Sequence, residues 1–181
     1  MTSQLKANST LVSTLVSAFI VFTSLASFPG NAHLMVAQHG TLNVQKTGVF
    51  TVLSVPVSAF DNIDDNSDGK LSMAELERHK KAIAQQVETK VSLMVNQQNH
   101  VLQGTLLSPV HSHGNPNGPV SQLIVMGRFA VEDIDADLSL NYQLFGIKAS
   151  EQKMEIVAKH YNTDQQSEFA LTPLRHSSSL F

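Results

Sequence analysis

Between Asp64 and Glu75 the chain sets out Asp64, Asn66, Asp68 and Glu75 as side-chain oxygen donors, with Gly69, Lys70, Leu71 and Ser72 between them. Oxygens at alternate positions of a tightening loop suit a hard cation, because Ca²⁺ takes six to eight oxygen ligands at about 2.3–2.6 Å. Asp64, Asn66 and Asp68 stand at positions one, three and five of a twelve-residue segment. Gly69 at position six allows a turn that a side chain would obstruct. Lys70 at position seven offers its backbone carbonyl and leaves its ammonium in solvent. Ser72 at position nine binds directly or through water, and Glu75 at position twelve clamps the ion with both carboxylate oxygens.

This is the spacing of an EF-hand calcium loop. Leu71, at position eight, is apolar, as it must be to tie the loop to a core or a partner strand. Ser72 with Glu75 three residues on also forms a capping box for the helix that starts there. EF-hands usually pair through a short β-bridge at position eight. The chain holds one such loop, which predicts a modest affinity of about 10⁻⁴ to 10⁻³ M and a structural or weakly regulatory role. The run Glu132 to Asp137 alternates acids, but Leu138 stands where the glycine belongs and Leu144 where the glutamate belongs. It predicts a polar connection between strands.

Histidine offers a rival chemistry, since the chain has 8 of them. His111 and His113 lie on the same side of an extended segment, and His33 becomes the first residue if a leader is removed after Ala32. Together they suit Cu or Ni handling. His79 and His100 are expected on the solvated face of the helix, and His160 as a satisfied residue of a sheet. The absence of cysteine excludes thiolate zinc sites, iron–sulfur clusters, disulfides and cysteine nucleophiles. No serine sits in a nucleophile elbow, so an enzyme is not expected. A formal charge of −3 gives no electrostatic reason to bind nucleic acid.

The elements that must position the loop follow from patterning. Residues 1–32 carry Lys6, an apolar run from Leu11 to Leu25 and small residues at Gly30 and Ala32, which predicts a secretory signal peptide cleaved after Ala32. The mature chain 33–181 is then periplasmic or secreted, with no later run long enough to stay in a membrane. Thr41 to Val57 reads as two strands around Gly48. Apolar residues at Met73, Leu76, Ile83, Val87, Val91 and Met94 predict an amphipathic helix over 73–94. Strands are expected at 101–107, 122–131, 138–144 and 154–158, with a short one at 169–171, and 111–119 reads as a loop. The expected fold class is α+β: a single, mainly antiparallel β domain, sandwich-like or a sheet covered by the helix, with an EF-hand at 60–94. A single turn of helix over 58–63 is expected on the incoming side.

The loop and its helix resemble a bacterial EF-hand domain. More broadly, a leader ending in Ala-His, the loop, and strands around the run Leu138-Ser-Leu-Asn-Tyr-Gln-Leu-Phe145 resemble the soluble extracytoplasmic domain of HupE/UreJ-like proteins. The resemblance implies a soluble envelope domain that carries one EF-hand. Calcium binding, Cu or Ni handling, and an envelope interaction scaffold are therefore the three functions the sequence supports.

Overall fold

Among the described residues, alternation of apolar and polar residues gives the sheet, and a stretch of helical periodicity between β2 and β3 gives the one α-helix. The computed structural model describes residues 37–112, 115 and 118–181, so the predicted leader, His33 and His113 lie outside the described residues. β1 (His39–Gln45) and β2 (Gly48–Pro56) form the expected antiparallel hairpin, with Leu42 and Val44 of one strand and Val49, Leu53 and Val55 of the other fully buried. Gly48 adopts φ +129°, and a Cβ there would fall 2.3 Å from the Phe129 carbonyl oxygen, so the turn requires glycine.

The helix α1 (Met73–Lys90) is shorter than the apolar repeat predicts. Leu76, Ile83 and Val87 enter the core, but Val91 to Val95 leave the helix and form β3 (Val91–Val95). Val91 and Val95 are β-branched and favour extended backbone. Val91, Leu93 and Val95 are all buried, and the inner face of a strand buries every second residue. Met73, counted as an apolar helix position, is 42% exposed.

β4 (Gln98–His111), β5 (Val120–Phe129), β6 (Leu138–Tyr142), β7 (Met154–His160), β8 (Gln166–Leu171) and β9 (Ser177–Ser179) complete the strands. Their order is β8-β7-β1-β2-β5-β4-β3-β6-β9 in one nine-stranded sheet. β4 pairs with β3 through Gln98 to Val101 and with β5 from Leu102 onward, with an irregularity between Gln103 and Leu106 inside the pairing with β5. β8 and β9 come near one another, so the sheet is nearly closed. One pairing departs from the antiparallel expectation: β7 runs parallel to β1, with Ile156 opposite Gly40. Parallel strands need a long crossover, and here it is the whole of β2 to β6. β9 was not expected, because three serines carry no apolar signal.

The run Glu132 to Asp137 links β5 to β6, as predicted. α1 lies against β3 and β4, and no helix among the described residues is long and apolar enough to cross a membrane.

Candidate functional site: the Asp64 to Glu75 loop

The loop begins without an incoming helix. β2 ends at Pro56, a 3-10 turn covers Val57–Ala59, and the chain reaches Asp64 through bends, so the helical turn expected over 58–63 is shorter and starts one residue earlier. Asp61 straps this segment to α1. Its amide donates to Gln86 Oε1 at 2.9 Å, its carbonyl accepts from Gln86 Nε2 at 2.9 Å, and its carboxylate meets Lys90 Nζ at 2.7 Å. Phe60 and Ile63 are buried beside Leu71.

Within the loop, backbone amides turn toward the acidic side chains. Asp64 Oδ1 accepts from the Asp68 amide at 3.3 Å and Oδ2 from the Gly69 amide at 2.8 Å. Asn66 Oδ1 accepts from the Asp68 amide at 3.1 Å, and Asp68 Oδ1 from the Lys70 amide at 2.9 Å. Gly69 takes φ +74° and Ser67 φ +57°, the left-handed turn that position six demands.

Glu75 closes the far end. It is only 6% exposed, and its Oε2 accepts from both the Ser72 amide at 2.8 Å and the Ser72 hydroxyl at 2.7 Å, while Oε1 accepts from the Asp65 amide at 3.1 Å. The Glu75 amide donates back to Ser72 Oγ at 3.2 Å, completing the predicted capping box. The Ser72 hydroxyl and amide, with the Asp65 and Asn66 amides, hold the Glu75 carboxyl below its ordinary value against the opposing effect of burial.

The six predicted ligand residues therefore fall in one continuous turn, yet side-chain oxygens of Asp64, Asn66, Asp68 and Glu75 already accept from local amides. Among the described residues no three His, Asp or Glu side chains gather into a group able to hold a metal ion. The donor chemistry still fits calcium: all are hard oxygens, and neither Asp64, Asp68 nor Glu75 forms an ion pair among the described residues.

Two features escape the sequence pattern. Asp65, at position two, pairs with Arg78 and lies 2.7 Å from His79 Nε2. The His79 hydrogen bond does most to hold the Asp65 carboxyl below its ordinary value, burial opposes it and Arg78 adds to it. His79 is thus clamped to the loop instead of lying free on the solvated face. The second is the partner of Leu71, since the pattern expects a core or strand contact there without naming it: the Leu71 carbonyl accepts from the Val120 amide at 2.8 Å in an isolated antiparallel bridge, and both residues are almost wholly buried.

The other histidines scatter. His100 stands in β4, not on the helix, with Nδ1 2.8 Å from the Ala130 carbonyl. His111 ends β4 with Nδ1 2.7 Å from the Gly118 carbonyl. His160 is buried in β7 as expected, but satisfied at one nitrogen only: Nε2 is 3.3 Å from the Ile134 carbonyl and Nδ1 has no partner. No protein-family model matches the chain, and no curated protein matches it.

Proposed function

We propose that the chain is a β-rich extracytoplasmic module that binds one Ca²⁺ in the Asp64 to Glu75 loop, and that the ion fixes the start of α1 against the sheet. The observation that carries this reading is the curl of the Asp68 and Gly69 amides around the Asp64 carboxylate, with Asp64, Asp68 and Glu75 left without a cationic partner. Asp64, Asn66, Asp68, the Lys70 carbonyl, Ser72 and Glu75 are the residues that would hold the ion. The loop carries four acids against Lys70. A divalent cation would relieve most of their mutual repulsion, and Asp65 is already balanced by Arg78 and His79. The predicted leader at 1–32 supports delivery to a calcium-rich compartment.

Calcium at about one to ten times the expected dissociation constant would stabilise the fold by about 0.4 to 1.4 kcal/mol. Millimolar Ca²⁺ is therefore expected to raise the melting temperature of residues 33–181, and Asp64→Ala or Glu75→Gln to abolish the rise. An unchanged melting temperature in Ca²⁺ would defeat the proposal.

A further inference from the structure

An EF-hand with no second hand leaves the backbone of position eight without its usual partner strand. Here that backbone is not idle. Leu71 accepts the Val120 amide hydrogen at 2.8 Å, and Val120 is the first residue of β5, which pairs with β2 along eight residues from Val49 to Pro56. Leu71 is 1% and Val120 2% exposed, so the bridge is shielded from water, where a hydrogen bond is hardest to replace.

We propose that β5 takes the place of the second hand within the same chain, so that calcium loading tightens the Leu71–Val120 bridge and pins the loop to the sheet without dimerisation. The inference rests on the calcium reading above. Its physical basis is the alternation of successive carbonyls along extended backbone. The Lys70 carbonyl is the position-seven ligand, and the next carbonyl, that of Leu71, is the acceptor for Val120. An ion that fixes the first peptide plane limits rotation of the second, and opening the bridge then requires releasing the ion. Linkage makes the two events reinforce one another.

Hydrogen exchange of residues 33–181, followed amide by amide with and without Ca²⁺, tests this. If opening at Val120 requires ion release, calcium at 100 times its dissociation constant slows that amide up to about 100-fold. The Tyr161 amide, bonded to the Val44 carbonyl away from the loop, serves as the reference and keeps its rate. Val120→Pro removes the donor at a strand's first position, where proline is tolerated, and is expected to weaken calcium binding by about three- to tenfold, whereas Val120→Ala keeps the affinity. Sedimentation velocity is expected to give a monomer with and without Ca²⁺. The inference is overturned if calcium slows the Gly69 amide but leaves Val120 unchanged, if Val120→Ala weakens binding as much as Val120→Pro, or if calcium produces a dimer. Absence of any calcium-binding heat in the unsubstituted chain overturns the calcium reading itself and the bridge coupling with it.

Discussion

Glu75 and Ser72 close the loop and open the helix with the same four groups: a carboxylate, a hydroxyl and two amides. Replacing Ser72 by alanine removes the cap and leaves the Glu75 amide without its acceptor, so it is expected to cost about 1 kcal/mol in urea unfolding of the metal-free chain. A change below a few tenths would show that the cap contributes nothing. Acid acts on the same groups. The carboxyls of Asp65 and Glu75 are held below their ordinary values of 3.8 and 4.5 by the partners described above. Glu151 joins them, because the Ser58 hydroxyl at 2.6 Å and Lys148 overcome the opposing effect of burial. A lowered carboxyl stabilises the fold above its ordinary range, and that stability is lost as pH falls through the lowered value. The urea midpoint of the metal-free chain is therefore expected to fall steeply below about pH 4. A midpoint that holds steady into that range would contradict the assignment. At this scale the turn at Gly69 and the Ser72–Glu75 cap were the most legible, since both follow from spacings of a few residues. Asp65 was not legible, because its partners lie 13 and 14 residues on and meet it only once α1 folds back over the loop.

At the scale of elements, α1 connects the loop to the core. Leu76, Ile83 and Val87 form its inner stripe, and Ile83 is fully buried. Ile83→Ala is expected to cost about 3 kcal/mol in urea unfolding, and a loss under about 1 kcal/mol would mean the stripe does not anchor the helix. The helix's end shows why periodicity alone overran it. Val91 and Met94 continue the helical spacing, yet Val91, Leu93 and Val95 also satisfy a period of two, and pairing with both β4 and β6 decides in favour of strand. The strands with apolar alternation, β1, β2, β5, β6 and β7, were legible from their own residues. β9 was not, because its place comes from hydrogen bonds to β6 and from Leu180 entering the core beside it.

For the whole molecule, local patterning gives the class, rich in strands with one α-helix among the described residues, but, beyond the β1–β2 hairpin, not which strands meet. The parallel contact of β7 with β1 and the Leu71–Val120 bridge both join segments far apart in sequence. The second of these gives the loop a sheet to lean on. The opposed charges also sort by place. Removal of 1–32 takes away Lys6 and leaves 11 basic residues against 15 acidic ones. The loop carries a net −3 in twelve residues, and the β5–β6 connection Glu132 to Asp137 a net −4 in six, but only the loop spaces its acids around a glycine turn. Calorimetric titration of residues 33–181 with Ca²⁺, set beside Mg²⁺ and Cu²⁺, is the most direct test. The expected result is one Ca²⁺ per chain with a dissociation constant near about 10⁻⁴ to 10⁻³ M, lost in Glu75→Gln. Absence of calcium heat up to millimolar concentration, or tight Cu²⁺ binding that Glu75→Gln leaves intact while Ca²⁺ gives none, would contradict it.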